Sequence, residues 1–161
     1  MTETLDIEVR SATRKDAEAI GILVAGFRDF LQRTEPSNDD IRASVIVWLR
    51  CQNTDVSVAL LNGEIVGYAT TLYQYSLWAN GVAATVSDLF VKQDIRESGV
   101  GRRLIKHALN VAASRGARSV GLSTNEMNIA SSRIYESLGF SSYSKLWQGR
   151  QVAYRKSIAE N

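Results

Sequence analysis

The sequence predicts a mixed α/β fold of the α+β kind. Three observations carry this. Apolar residues recur at helical spacing in four stretches, and apolar strands with turn residues lie between them. Asn62-Gly63 separates two apolar runs, which signals a tight hairpin and antiparallel pairing. Further on, a strand, a glycine turn, a helix and a short strand follow one another, which is a βαβ unit.

The elements follow in order. Asp6–Arg10 alternates as a strand. Thr13 stands three residues before Asp16, a capping-box start. Ile20, Leu23, Val24, Phe27, Phe30 and Leu31 then give a helical stripe. The short stretch RTEPSNDD (33–40) links it to a second helix beginning at Ser37. Asp39 and Asp40 lie in that helix's first turn, where the dipole favours acids, and Ile41, Val45, Trp48 and Leu49 form its buried face. Strands follow over VSVALL and EIVGYATTLY, around the Asn-Gly turn. A looser stretch at Leu77–Gly81 leads to a third strand of the meander, Val82–Val91. Leu104, Ile105, Ala108, Leu109 and Ala112 mark the next helix, which Gly116 ends. Ser119–Thr124 reads as a strand and Ile129–Leu138 as a helix stopped by Gly139. Two tail strands are expected, near Ser142–Leu146 and Gln151–Lys156. With 161 residues, no repeat and no long linker, one domain over 1–161 is expected.

Composition excludes several classes. One Cys, one Pro and 45% apolar residues rule out a disulfide scaffold, collagen and disorder. No apolar run is long enough to span a membrane. The N-terminus lacks a basic region followed by an apolar stretch, so no signal peptide is expected and a cytoplasmic setting is the default. The formal charge of +2 is too small to argue for nucleic acid, although 14 of the 19 basic residues are Arg. Cys51 follows a helical apolar pattern and is expected in the core. With His107 the only histidine, most zinc sites are removed, and so is any Cys–His or Ser–His catalytic pair unless His107 serves.

The stretch VSDLFVKQDIRESGVGRRLI (86–105) carries the chemistry. A strand enters a turn with two glycines that opens onto a helix. The first N–H groups of a helix have no partner within it, and its dipole favours negative charge. Gly99 and Gly101 allow close backbone approach, and Arg96, Arg102 and Arg103 add positive charge. A diphosphate fits this description. A Walker loop is absent, and the third glycine of a Rossmann turn is replaced by Leu104. The pattern present is Arg96-x-x-Gly99-x-Gly101.

Downstream stand Asn128, Ala130, Ser131, Tyr135, Gly139 and Phe140. With the glycine turn, they resemble the GNAT superfamily of acetyl-CoA-dependent N-acetyltransferases. The segment from Val9 to Ile20 and the Asn-Gly hairpin lie where that family has them, so the resemblance covers nearly the whole chain. The stretches SLWANG, SDLFV and RESGVG are most similar to the small-amine branch, which includes diamine and aminoglycoside N-acetyltransferases.

The resemblance implies a central, mostly antiparallel twisted sheet of six to seven strands, splayed in the middle by a bulge, with about four helices. It implies acetyl-CoA as co-substrate and no metal. Pantetheine would bond the backbone of Leu89, Phe90 and Val91, where an N–H would also meet the acetyl carbonyl. The pyrophosphate would sit on Glu97, Ser98, Gly99, Val100, Gly101 and Arg102, beside Arg96. Asn128, Ala130 and Ser131 would line the far side of the coenzyme. Tyr135 matches the general acid for the leaving thiolate. By pattern alone, it borders the Ala130–Ile134–Leu138 stripe, where a tyrosine is more often a plain packing residue with a solvated hydroxyl. Many members have Gly where this chain has Glu97, and a carboxylate there is unfavourable beside a diphosphate unless it points away or meets Arg102 or Arg103.

An aliphatic amine has a pKa near ~10.4, so about one part in a thousand is nucleophilic at neutral pH. A carboxylate near the amine is therefore expected. Asp88, on the central strand, is the first candidate, as base or as ammonium holder. A buried pair with an Arg such as Arg133 is its structural alternative. Glu126 and Glu35 are candidates for the acceptor site, and Glu35, Asp39 and Asp40 could form an acidic rim. Trp48, Tyr73, Tyr75, Trp78 and Trp147 are aromatic, most expected in the core or an interface, and a patch near Tyr75–Trp78 would suit a homodimer. The expected reaction is acetyl transfer to a primary amine of a small molecule, such as a polyamine, aminoglycoside or amino-acid-like acceptor. Acetylation of a protein N-terminus or lysine, or acyl-CoA sensing without turnover, is the alternative. No nucleic-acid or membrane partner is expected.

Overall fold

The computed structural model describes residues 6–158. Strand β1 (Ile7–Ser11) leads into a 3-10 turn and helix α1 (Ala17–Phe30). Asp16 holds this start together. It accepts from the Thr13 N–H at 2.7 Å and hydroxyl at 3.1 Å, and from the Arg10 fork at 2.8 and 3.0 Å. The Arg10 bonds are the main reason its carboxyl is lowered to about 2. Helix α2 (Asn38–Arg50) starts at Ser37 as expected, with the Asp40 N–H donating to the Ser37 hydroxyl. Strands β2 (Thr54–Leu61) and β3 (Glu64–Ser76) form the hairpin. Asn62 and Gly63 both adopt positive φ, 51° and 82°, as the tightest hairpin turn requires. Strand β4 (Gly81–Val91), helix α3 (Val100–Ser114) and strand β5 (Ala117–Leu122) complete this part of the chain.

These five strands form one sheet in the order β1-β2-β3-β4-β5. The first four pair antiparallel, and β5 pairs parallel to β4 after the α3 crossover. Two features of β4 position the site. Thr70 pairs with Asp88 while Thr71 pairs with Val86, so Ser87 is an extra residue, a β-bulge. Pairing with β5 runs only from Val82 to Val86. Beyond the bulge, β4 keeps β3 on one side and, among the described residues, has no strand of this sheet on the other.

Two helical layers cover the sheet. Ile20, Leu23, Ile41 and Val45 of α1 and α2 pack on Val56, Val58, Tyr68 and Phe90. On the opposite face, Val100 and Leu104 of α3 pack on Ile7, Ala59, Ala69 and Val91. Alternate residues of β2 serve the two layers, as the two-residue period of a strand dictates. Three expectations need correction here. Phe30 and Leu31 are exposed: Leu31 lies past the end of α1, and Phe30 meets the sheet with only part of its ring, its centroid 6.5 Å from that of Phe90. Cys51 is exposed rather than in the core, because it caps α2 with extended backbone and so leaves the helical stripe. The short strand runs over Ala117–Leu122, two residues earlier than read from the sequence.

The contacts divide the chain into two units, Met1–Leu122 and Ser123–Asn161. The second contains α4 (Ile129–Ser137), β6 (Tyr143–Ser144) and β7 (Gly149–Arg150). Among the described residues, strands β6 and β7 pair only with each other, so the central sheet has five strands rather than six to seven. The tail strands also differ from those expected. Pairing is confined to two residues each, and residues 151–158 have no helix or strand.

Candidate active site

The glycine turn comes first. Gly99, at φ 86°, caps α3, and the first bond of the helix runs from the Arg103 N–H to the Gly99 carbonyl at 3.1 Å. The N–H groups of Val100, Gly101 and Arg102 thus precede the helical ladder and point out of its end. Glu97 also has positive φ, 68°. Left-handed residues separated by Ser98 curl the backbone into a concave cradle of N–H groups, which suits an anion. The Ser98 hydroxyl ties the turn back to the Ile95 carbonyl. This left-handed backbone explains why glycine suits the place of Glu97. The Glu97 side chain is exposed.

Arg96 is exposed and tied down at the same time. Its Nε donates to the Val91 carbonyl at 3.3 Å, and its guanidinium stacks over the Phe30 ring, 4.3 Å from the centroid. It therefore joins the glycine turn, β4 and α1. Arg103 donates to the Ile7 carbonyl at 2.8 Å and anchors α3 to β1.

Leu89, Phe90 and Val91 follow the bulge. The Lys92 N–H donates to the Val66 carbonyl on β3 at 2.9 Å. Bonding alternates along an antiparallel pair. Phe90 and Asp88 therefore direct their backbone groups to β3, while Leu89 and Val91 direct theirs to the side where β5 has ended. That open edge has the donors and acceptors an amide-containing chain could pair with, as a further strand would. Residues 92–96, with a 3-10 turn over Gln93–Ile95, join it to the cradle.

Asp88 is half-buried, on the sheet face that carries Phe90 and Tyr68. Its Oδ2 accepts from the Thr70 hydroxyl at 3.1 Å, and the Thr70 oxygen lies 2.7 Å from the Ser87 oxygen. Burial, with the Asp88 charge added, pushes the Tyr68 phenol up. Thr70 and Ser87 escaped the sequence reading. Their proximity to Asp88 depends on cross-strand register and on the bulge, and residue types alone reveal neither.

At the α1–α2 connection lies an open cleft of about 470 Å³, lined by Arg28, Asp29, Arg33, Thr34, Ser37, Asn38 and Asp39. Its charge is mixed, not the acidic rim expected. Asp39 pairs with Arg42 at 3.0 Å, and Asp40 takes the Ser37 hydroxyl at 2.6 Å, so both acids serve their own helix. Glu35 is exposed and lies outside the cleft lining.

In the second unit, Asn128 caps α4, its side chain accepting from the Ser131 N–H at 3.2 Å. Ala130 and Glu126 are exposed and Ser131 is half-buried. Tyr135 is the buried residue of α4, rather than a residue at the border of the stripe. It meets the edge of Phe140, ring centroids 6.1 Å apart. Burial raises the phenol above its ordinary value, against a smaller lowering by the Ser131 hydroxyl. The aromatics divide. Tyr73 is buried and Trp48 half-buried, while Tyr75, Trp78 and Trp147 are exposed, Trp78 at 95%.

Residues 23–140 match the sequence model of the acetyltransferase (GNAT) family. An uncharacterized N-acetyltransferase of Bacillus subtilis, YhfO, is 28% identical over 136 residues, covering 83% of this chain and 89% of that protein. A thialysine N-epsilon-acetyltransferase of Bos taurus is 31% identical over 75 residues, 47% of this chain and 44% of its own. Among solved structures, aminoglycoside N-acetyltransferase AAC(6')-Iy in complex with CoA superimposes with a TM-score of 0.77 at 17% identity, over 99% of both chains. A βαβ crossover with a glycine cradle at the helix start, a bulged strand with an open edge beside it, and the match over 23–140 lead to one assignment: the chain belongs to the GNAT family of acetyltransferases.

Proposed function

We propose that the chain, as a single domain over 1–161, transfers acetyl from acetyl-CoA to a primary amine of a small molecule by direct attack in a ternary complex. One observation carries the reading: the open edge of β4 at Leu89–Val91 runs into the Glu97–Arg102 cradle, with Asp88 at the bulge before it. A chain of amides ending in a diphosphate fits that sequence of groups. When bound, acetyl-CoA supplies an acetyl thioester, whose transfer forms a C–N bond as the C–S bond breaks.

The protein's part follows. The outward N–H groups of Leu89 and Val91 and the Leu89 carbonyl hold the amide arm, the Val91 carbonyl being engaged by Arg96, and an N–H in this stretch donates to the acetyl oxygen as charge gathers there. The N–H groups of Glu97, Ser98, Gly99, Val100, Gly101 and Arg102 hold the diphosphate. Arg96 braces the turn. Asp88 holds the acceptor ammonium and takes its proton on a carboxylate oxygen. Tyr135, matched by family pattern, gives its phenolic proton to the departing sulfur; the second nitrogen proton leaves to water as the amide forms, and the phenolate is reprotonated from water. Its raised pKa keeps that proton in place at neutral pH. Asn128, Ala130 and Ser131 belong to the coenzyme's binding set, Glu126 and Glu35 to the acceptor's. Aminoglycoside and thialysine acetyltransferases among the similar proteins support a small amine acceptor. Exposed Tyr75, Leu77 and Trp78 support a homodimer. The setting is cytoplasmic.

The test is thiol release from acetyl-CoA with spermidine, neamine, lysine and an N-terminal peptide, against an amine-free control. Release with one class of small amine is expected. Release with the peptide alone would give the acceptor as a protein. Coenzyme A binding without release would make the chain a sensor. Light scattering on the same sample tests the dimer.

A further inference from the structure

We propose that Thr70 is a positioning residue for Asp88, fixing which carboxylate oxygen meets the acceptor amine. The inference rests on the reading of Asp88 as the group that receives the ammonium.

Thr70 is 1% exposed, although its hydroxyl is polar and stands mid-strand. It has two oxygen neighbours, Asp88 Oδ2 at 3.1 Å and Ser87 Oγ at 2.7 Å. A hydroxyl carries one proton. Thr70 gives its proton to the carboxylate, so Ser87 is the donor in the second bond. Two hydroxyls in series thus end on one oxygen of Asp88. Oδ1 has no protein hydrogen bond among the described residues and is the oxygen left for the amine.

The arrangement follows from the bulge. In a regular ladder, Ser87 and Asp88 would point to opposite faces. The extra residue places both beside Thr70. Thr70 itself cannot swing away, because a β-branched side chain is stiff at χ1 and this one is packed. An Asp carboxylate without such a partner rotates among several settings. Holding Oδ2 leaves Oδ1 in one setting, and misplacement of a reacting group by about 1 Å can cost ~100-fold in rate. The proton balance is simple: one ammonium N–H bond breaks and one O–H bond forms at Asp88, while the two hydroxyls keep their protons and only orient.

The experiment compares Thr70→Val, Thr70→Ser, Ser87→Ala, Asp88→Asn and the double variant Thr70→Val/Asp88→Asn. Steady-state kinetics use acetyl-CoA with whichever of spermidine, neamine or lysine supports release. Thermal melting and coenzyme A affinity are measured alongside. Thr70→Val is expected to lower kcat by ~10- to 100-fold, with coenzyme A affinity unchanged. Thr70→Ser restores most of that loss, and the double variant is no slower than Asp88→Asn alone. A purely structural role would predict otherwise, with the double variant losing more and serine giving no rescue. The inference is overturned if Asp88→Asn is slow while Thr70→Val keeps its kcat. Should Thr70→Val fail to fold, exposed Ser87→Ala decides: reduced kcat supports the chain of hydroxyls, unchanged kcat overturns it. Full activity in Asp88→Asn, or no release with any of the three amines, removes the Asp88 reading and this inference with it.

Discussion

Glu97 shows how one residue can oppose its own turn. It holds a left-handed φ of 68°, which costs a non-glycine residue about 1 kcal/mol or more. It also places an exposed carboxylate on a turn whose outward N–H groups would suit an anion. Glu97→Gly removes both effects. The variant should melt ~2–4 °C higher and bind coenzyme A more tightly, read by differential scanning and titration calorimetry. Equal melting and equal affinity would show that the turn is unstrained and the side chain irrelevant. This conflict is visible in the sequence only as a departure from a family pattern, and the backbone angle supplies its reason. Arg96 is a different case. Its charge suggests a phosphate ligand, yet its guanidinium lies over Phe30. No sequence rule places Phe30, at the end of one helix, beside a turn 66 residues later.

At the scale of elements, most of the fold is legible because local chemistry agrees with it. Asn62-Gly63 makes the hairpin, Ser37 caps α2, and the α3 stripe is buried where its period predicts. The tail was misread because Ser142–Leu146 and Gln151–Lys156 have strand-like composition, while pairing depends on a partner that composition does not name. Only four residues pair there. The site was half legible. The glycine turn announces itself, and the family resemblance implies a bulge, but the bulge's place at Ser87, the Thr70 contact and the open edge of β4 are properties of register. Gly67 belongs to this scale. A Cβ there would stand 3.0 Å from the Phe90 carbonyl and 3.2 Å from Leu104 and Val91. Backbone cannot yield as a side chain can, so Gly67→Ala should push β3 from β4 beside the open edge. A loss of ~1–3 kcal/mol in urea unfolding is expected, with weaker coenzyme A binding. An unchanged midpoint would mean that the strands part without cost.

For the molecule as a whole, acid should weaken the fold in two stages. Burial lowers the His107 pKa below its ordinary value, and its Nε2 is buried without a hydrogen-bond partner among the described residues. The unfolded chain therefore takes the proton first, so stability falls as the pH drops below ~6.5. The charged groups facing His107 include Asp55, whose attraction only partly offsets burial and which is itself paired with Arg115 at 2.8 Å. The second stage belongs to Asp16. Its folded value of about 2 lies below the ordinary 3.8, so its contribution is full above that value and is lost as the pH falls toward the folded one. Melting curves between about pH 8 and about pH 3 should show both limbs, and Asp16→Asn should remove the lower one. A single limb in the parent protein would contradict this assignment. The same sheet separates two unlike environments, and a one-residue insertion decides which of them receives a charge. Before Ser87, the even-numbered residues of β4, such as Ala84, face the layer containing Ala112 of α3. After it, Phe90 faces α1 and α2. Deleting Ser87 would act as a frameshift in space, turning Asp88 toward the apolar side of α3 and Leu89 toward the place the amine should occupy, with every other residue of the chain intact.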